Sequence, residues 1–214
     1  MSAPKAQAVF RRLTKAYPDA RCSLPHHSNF QLLVCVMLSA QCTDAAVEKA
    51  APGLFELAPD AATMARTPVS SIKSRIKTLG LANTKAKNIK AAAQILVDRH
   101  RGEVPDDEEA LVALPGVGRK TAHVVLGTAF GHDALVVDTH VGRISRLLGL
   151  TRHDDPVKVE ADLCRQLPKK AWTPWAHLLI RHGRAVCVAR RPQCQKCVLK
   201  DVCPTGAHEG RPVK

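Results

Sequence analysis

Aromatic residues are scarce in this chain. Its 214 residues include only two Trp, one Tyr and four Phe. That number is too small for a binding surface built mainly by stacking nucleic-acid bases on aromatic rings. If the protein binds a nucleic acid, we therefore expect contacts to the sugar-phosphate backbone to dominate.

Long apolar runs are also missing. The longest nearly apolar stretch, residues 32–38, is far shorter than the roughly 20 residues that a helix needs to span a bilayer. Residues 1–20 place Arg11, Arg12 and Lys15 where a signal peptide requires an unbroken apolar segment. The sequence thus predicts no membrane insertion and a cytoplasmic protein, associated with the nucleoid if it is bacterial.

Acidic residues are outnumbered by basic ones. The chain has 32 Lys and Arg against 19 Asp and Glu, a formal net charge of +13. Such an excess favours a polyanionic partner. Because 45% of the residues are hydrophobic, the chain can still bury a core, and its length suits one or two domains.

Strand patterns are almost absent, and apolar residues recur at helical spacing along the chain. The sequence therefore predicts an all-α fold. Ser28 is expected to cap a very apolar helix from Phe30 to about Gln41, which should lie inside a domain. Other helix starts are predicted at Thr67 with Pro68, Asn83 or Thr84, Asp106 with Glu109, Asp138, Asp155 with Pro156, and Thr173 with Pro174.

The segment LPGVGRKTA, residues 114–122, lies between two predicted helices. Gly116 and Gly118 permit a tight turn with positive φ, which leaves backbone N–H groups and a helix N-terminus free to face an anion. No strand precedes it and the further spacing of a nucleotide-binding loop is missing. A Gly-rich connector is the simpler interpretation, but LPGVG followed by a helix resembles the helix-hairpin-helix element with which DNA-repair proteins hold a strand.

Lys120 and Asp138 are candidate catalytic residues. A lysine at the start of a helix can act as a nucleophile in its neutral form, or it can be one more phosphate contact. Asp138 follows the apolar segment 134–137 and can cap the next helix, accept a proton or face developing positive charge. The spacing alone leaves these alternatives open.

The cysteines are concentrated near the C-terminus. Cys187, Cys194, Cys197 and Cys203 are separated by six, two and five residues, a density that favours a metal site. Only Cys194 and Cys197 have the Cys-x2-Cys form typical of structural zinc, whereas a 4Fe-4S cluster tolerates longer, unequal loops. Basic residues surround this loop: Arg184, Arg190, Arg191, Lys196 and Lys200. The remaining cysteines are expected to be reduced thiols without a function: Cys22, Cys35, Cys42 and Cys164.

Together these motifs closely resemble the endonuclease III family of base-excision-repair DNA glycosylases. The resemblance covers nearly the whole chain and rests on the hairpin, the 6-2-5 cysteine spacing and three short segments: Leu38-Ser39-Ala40-Gln41, Leu79-Gly80-Leu81 and Val137-Asp138-Thr139-His140. It implies two helical domains that flank a DNA-binding cleft. Residues 22–133 would form a six-helix barrel with the hairpin, and residues 1–21 with 134–214 the iron-sulfur domain.

The resemblance also implies residue roles. Lys120 falls on the nucleophile and Asp138 on the catalytic aspartate of the family, and Gln41 and Leu81 match side chains that fill the gap left by a flipped nucleotide. The four C-terminal cysteines fall on the 4Fe-4S ligands: Cys187, Cys194, Cys197 and Cys203. The implied DNA contacts are Gln41, Leu81, Gly116, Val117, Gly118, His140, Arg184 and Arg191.

The activity implied is that of a monomer acting on double-stranded DNA that contains oxidised pyrimidines or abasic sites. The damaged base is turned out of the helix, Lys120 attacks C1′ and expels it, and the resulting imine allows β-elimination on the 3′ side. Ala82, where relatives often have an aromatic residue, and His123, where asparagine is frequent, depart from the family pattern. Both departures bear on lesion search and substrate range.

The sequence has two alternative interpretations. The adenine-specific relative needs a carboxylic acid on the apolar helix, and no Asp or Glu occurs between Arg21 and Thr43. From a different class, the chain could be a non-catalytic helix-hairpin-helix module that binds DNA and carries a structural zinc.

Overall fold

The structure is a computed structural model that describes residues 3–206. All regular elements in that range are helices, which confirms the predicted all-α fold. The α-helices are α1 (Ala3–Ala16), α2 (Asn29–Ser39), α3 (Asp44–Leu57), α4 (Ala61–Arg66), α5 (Val69–Arg75), α6 (Ala82–His100), α7 (Glu108–Val112), α8 (Arg119–Ala129), α9 (Thr139–Leu147), α10 (Pro156–Cys164) and α11 (Trp172–Ala185). Two short 3-10 helices span Lys169–Ala171 and Cys194–Lys196. No helix in the described range is both long and apolar enough to cross a membrane.

Three predicted helix starts are confirmed by their caps. Ser28 accepts a hydrogen bond from the N–H of Gln31 at the start of α2. Asp138 and Asp155 accept corresponding bonds at the starts of α9 and α10. Each of these caps satisfies a backbone N–H that the first helical turn leaves without a partner.

Three other predicted starts are wrong because the side chains have different partners. The Thr67 hydroxyl donates to the carbonyl of Thr63 and closes α4 rather than opening α5. Asp107, not Asp106, caps α7. Thr173 lies inside α11 and donates to the carbonyl of Ala134.

The start of α6 also differs from the prediction. The helix begins at Ala82, ahead of the expected caps Asn83 and Thr84, and the residue before it, Leu81, has a left-handed backbone with φ 59°. Leu81 provides no side-chain cap. This start is therefore defined by a strained turn rather than by a polar side chain.

The described residues divide into two compact units. One comprises Met1–Cys22 and Asp133–Lys214 as far as they are described, and the other comprises Ser23–His132. These limits differ by one residue from the predicted domain boundaries.

The Ser23–His132 unit contains α2 to α8. Nine consecutive residues of α2, from Phe30 to Leu38, are buried, so this helix is the centre of the unit. It packs against α8, and α6 packs against α4 and α5. The central α2 thus supports α8 and the turn that precedes it.

The other unit is built around Trp175 of α11, which is fully buried. Val9 and Leu13 of α1 are buried in the same core, and the ring of Phe10 stacks on Trp175 with a centroid distance of 6.5 Å. Arg12 of α1 forms an ion pair with Asp201. The N-terminal helix is thereby fixed against the C-terminal part of the chain.

Candidate active site and cysteine loop

The turn between α7 and α8 has the form expected of a hairpin. Gly116 has a left-handed φ of 79°, and a Cβ at this position would lie 2.7 Å from Nδ2 of Asn88. Gly118 has φ −97° and ψ 173°, an ordinary extended conformation. Of these two glycines, only Gly116 therefore needs the conformational freedom of glycine. Val117 between them is buried, and its N–H donates to the carbonyl of Leu114 at 3.0 Å.

The N-terminus of α8 follows the turn directly. Gly118 occupies the N-cap position and makes no side-chain cap. The first N–H groups of a helix have no intrahelical partner, so this end can donate to an anion. Lys120 is the second residue of α8 and is exposed.

Glu108 links the two helices of the hairpin. Its Oε2 lies 3.2 Å from Nε2 of His123, and its Oε1 lies 3.6 Å from Nε of Arg119. His123 is largely buried, with 14% of its side chain exposed. His123, which was expected to depart from the family pattern, thus contacts the carboxylate that joins α7 to α8.

Gln41 and Leu81 share an uncommon backbone conformation. In residues 3–206, left-handed φ values occur at three residues other than glycine: Gln41 at 56°, Leu81 at 59° and Arg101 at 57°. Arg101 ends α6, where this conformation is common. Gln41 and Leu81 lie in exposed turns, and 58% of Leu81 is accessible. Backbone strain of this kind costs about 1–3 kcal/mol per residue and is typical of functional sites.

Asp138 is held at the N-terminus of α9 in the other unit. Its Oδ1 accepts a 2.8 Å hydrogen bond from the N–H of Val141, and its Oδ2 lies 3.2 Å from Nδ1 of His140. The side chain keeps 22% of its surface exposed. Asp138 is therefore both a helix cap and an accessible carboxylate.

His140 lies where α9 and α11 approach closely. A Cβ on Gly183 would be only 2.7 Å from Cδ2 of His140, so glycine is required there. His140 and Arg184 line the same open cavity. Arg191 is exposed and does not line that cavity.

The four predicted cysteine ligands line one cavity together: Cys187, Cys194, Cys197 and Cys203. Burial raises the pKa of Cys187 and Cys197. Arg143 partly opposes this shift at Cys187 and the N–H of Leu199 at Cys197, whereas the neighbouring cysteines add to it. Arg143 donates to the carbonyl of Cys187 at 2.8 Å, and its second nitrogen lies 3.7 Å from Sγ. In the described part of the chain, no three His, Cys, Asp or Glu side chains are arranged to hold a single metal ion.

A buried histidine contacts the cysteine loop, and the sequence did not indicate it. His182 is 1% exposed, and its ring nitrogens lie 3.5 Å from Sγ of Cys197 and 3.0 Å from the hydroxyl of Tyr17. Burial, together with the charge of Arg143, lowers its pKa to about 4. The imidazole is thus neutral, so one ring nitrogen donates to its partner and the other accepts.

Comparisons with known proteins agree with this arrangement. The model of the HhH-GPD superfamily of base excision DNA repair proteins matches residues 34–169. Endonuclease III from Synechocystis sp. is 46% identical over 202 residues, which are 94% of this chain and 92% of the relative. The chain belongs to the endonuclease III family. Endonuclease III from Escherichia coli strain K12 is 42% identical over 95% of this chain and 96% of its own.

Solved structures of endonuclease III share the fold. A non-covalent endonuclease III–DNA complex has a TM-score of 0.90 at 42% identity and covers 97% of both chains. A trapped endonuclease III–DNA covalent intermediate has a TM-score of 0.89 at 41% identity and covers 97% of this chain and 98% of its own. As a member of the endonuclease III family, the chain is a base-excision-repair enzyme, a DNA glycosylase and abasic-site lyase. Family membership favours this over the non-catalytic DNA-binding module.

Proposed function

We propose that this endonuclease III family member removes oxidised pyrimidines from duplex DNA with Lys120 as the nucleophile. The observation that carries the proposal is the position of Lys120: it is exposed on the first turn of α8, directly after a hairpin turn that can bind a phosphate. A strand held at that turn would present its sugars to the Lys120 amine. The covalent endonuclease III–DNA intermediate among the similar structures supports a nucleophile that bonds to DNA, which is the role proposed for Lys120.

The proposed reaction has two steps at the same amine. The nitrogen of Lys120 bonds to C1′ while the bond from C1′ to the damaged base breaks, and the base leaves with a proton. The C1′–O4′ bond then breaks and O4′ takes up a proton, which opens the sugar and gives an iminium at C1′. The iminium makes the C2′ proton acidic, and loss of that proton breaks the C3′–O bond and releases the 3′ phosphate. One lysine thereby supports both the glycosylase step and the lyase step.

Asp138 is proposed as the acid-base partner of Lys120. Its carboxylate is anchored through Oδ1 by the α9 N-terminus, and this fixes the orientation of the group. Such a carboxylate can accept a proton from the lysine or stabilise positive charge on the sugar. His140, beside Oδ2, is proposed to contact the DNA strand.

Gln41 and Leu81 are proposed to fill the gap that the flipped nucleotide leaves. Both side chains project from exposed, strained turns of one compact unit. Unstacking costs least for a base that already stacks or pairs poorly, and an oxidised, non-planar pyrimidine ring is such a base. This cost difference would provide the selectivity for damaged pyrimidines.

Cys187, Cys194, Cys197 and Cys203 are proposed to bind a 4Fe-4S cluster. The residues fit such a group: four thiols line one cavity, Arg143 lies beside Cys187, and the N–H of Leu199 is 3.4 Å from Sγ of Cys197. When bound, the cluster supplies a rigid cross-link rather than hydrolytic chemistry. Arg184 and Arg191 near this loop are proposed to contact DNA phosphates. The protein is proposed to act as a cytoplasmic monomer.

Borohydride trapping tests the nucleophile. Incubation with a duplex containing thymine glycol should give a covalent adduct with the parent protein and none with Lys120→Gln. Arg119→Gln, which removes the adjacent exposed cation, is the matched control and should retain the adduct. Trapping that persists in Lys120→Gln would assign the nucleophile to another residue.

A further inference from the structure

Lys85 is a buried lysine that the proposed mechanism does not use. It lies in the first turns of α6 and is only 7% exposed. Burial of an ammonium group is costly unless the group is hydrogen-bonded. The cation also lies near the positive end of the helix dipole, so α6 itself gains no stability from it.

The side chain of Lys85 is bonded to both sides of the Gln41 turn. Its Nζ donates to the carbonyl of Leu38 at 2.8 Å and to Sγ of Cys42 at 2.9 Å. The Leu38 carbonyl belongs to the last turn of α2, where carbonyls lack an intrahelical partner. One amine therefore holds the residues that precede and follow Gln41.

The backbone of Lys85 is bonded to the second strained residue. Its N–H donates to the carbonyl of Leu81 at 2.9 Å. The two turns are also in contact, because a Cβ on Gly80 would lie 3.9 Å from Sγ of Cys42. Lys85 thus joins the turn of Gln41, through its side chain, to the turn of Leu81, through its main chain.

We propose that Lys85 is a positioning residue that couples the Gln41 and Leu81 turns, so that both side chains enter the DNA gap together. Strained left-handed residues persist only where their surroundings hold them, and the three bonds of Lys85 supply that support. The inference rests on the proposed role of Gln41 and Leu81 in filling the gap. Cys42 gains a function here as the acceptor beside Gln41.

The test compares a substrate that requires gap filling with one that does not. Lys85→Met removes the donors and keeps the length of the side chain. On a duplex containing thymine glycol, we expect kcat/KM to fall at least about tenfold, the loss typical of a charged hydrogen bond. Borohydride trapping on a single-stranded abasic oligonucleotide, which has no opposing base, should stay unchanged.

Lys87→Met is the matched control. Lys87 is exposed on the same helix, and the variant loses the same charge without loss of these hydrogen bonds. It should behave like the parent on both substrates. An equal loss of activity on both substrates in Lys85→Met, or no loss on either, would overturn the proposal.

Coupling between the two gap-filling residues provides a second readout. In the parent, the effects of Gln41→Ala and Leu81→Ala on kcat/KM should be non-additive, whereas in the Lys85→Met background they should add. Additive effects in the parent would contradict the coupling. Absence of trapping in the parent would instead refute the proposed function itself.

Cys42→Ala covers the case in which Lys85→Met loses its helical circular dichroism. This variant removes the Sγ acceptor beside Gln41 and leaves the bond to Leu38. We expect a loss of about threefold on the thymine glycol duplex, with Cys42→Ser restoring parent activity because its hydroxyl can accept the bond. Parent-like activity in Cys42→Ala would overturn the proposal.

Discussion

Oδ2 of Asp138 lies 3.2 Å from Nδ1 of His140, two residues further along the chain. The other carboxylate oxygen is the N-cap of α9, bonded to the N–H of Val141 at 2.8 Å. One side chain therefore stabilises a helix through one oxygen and presents the second beside an imidazole. This division allows the structural and the chemical role of Asp138 to be separated by mutation.

Asp138→Asn should slow catalysis strongly without loss of stability. The amide oxygen can still accept from Val141, so the free energy of unfolding should change by less than about 0.5 kcal/mol. The negative charge is lost, and we expect excision of thymine glycol to slow by roughly 10²–10⁴-fold. Urea unfolding and single-turnover kinetics measure the two effects. Asp138→Ala, which loses the cap as well, should be about 1 kcal/mol less stable; equal stability of the two variants would refute the capping role.

Replacement by alanine should affect the stability of the protein differently at the two hairpin glycines. Gly116→Ala places a Cβ 2.7 Å from Nδ2 of Asn88 at a φ of 79°, and we expect a loss of about 2 kcal/mol in unfolding free energy together with weaker DNA binding. Gly118→Ala meets no atom within 4 Å and has an ordinary φ, so its stability should fall by only a few tenths of a kcal/mol. Thermal unfolding of the two variants measures this difference in stability. A similar loss in both variants would mean that the turn tolerates Gly116→Ala by shifting Asn88.

Three helix starts could be predicted from sequence because their capping bonds are local. Ser28, Asp138 and Asp155 each accept from an N–H three residues ahead, and the sequence contains that relationship. The prediction failed at Thr173, whose hydroxyl bonds to the carbonyl of Ala134, 39 residues away. The prediction failed at Thr67 because its hydroxyl donates to the preceding helix α4, a helix that was not predicted.

The residues of the candidate site show the same difference between local and long-range contacts. Lys120 and the cysteine array belong to contiguous motifs, so the sequence alone is enough to propose them. The burial of Lys85 depends on the packing of α6 against the end of α2, and in sequence it resembles any solvated helix lysine. The one local signal was a cation near a helix N-terminus, the end that favours anions. His182 and Tyr17 meet only in the folded unit.

Leu81→Gly should make the protein more stable and less active. Glycine adopts the φ of 59° found at Leu81 without strain, and 58% of the leucine is exposed, so little packing is lost. We expect a gain of up to about 1 kcal/mol in unfolding free energy. Excision from duplex DNA should slow, because the gap-filling side chain is gone. A fall in stability would show that Leu81 is retained for packing instead.

DNA binding should weaken steeply with salt, and the slope should report the phosphate contacts of the cysteine-loop region. Arg191→Ala is expected to lower the slope of log affinity against log salt by about one unit, equally for damaged and undamaged duplex. Arg184→Ala should act in the same way. Lys158→Ala, an exposed cation on α10 outside the predicted contacts, is the control and should leave the slope unchanged. Fluorescence anisotropy over a salt series measures this, and an unchanged slope in both arginine variants would place the phosphate contacts elsewhere.

Cys164 should be an unreactive thiol at neutral pH. Burial and then the charge of Glu160 raise its pKa to about 11, only partly opposed by Arg165. Because the thiolate is the reactive form, about one molecule in a thousand is reactive at pH 8. Alkylation by iodoacetamide, followed by peptide mass spectrometry, should keep accelerating above pH 9, whereas in urea the rate should level off near the ordinary thiol value. The raised pKa also makes the stability of the folded protein depend on pH. The buried thiol contributes stability below the unfolded pKa, and this contribution is lost as the pH rises from about 9 to about 11. A rate that levels off near pH 9 in the native protein would contradict the burial of this thiol.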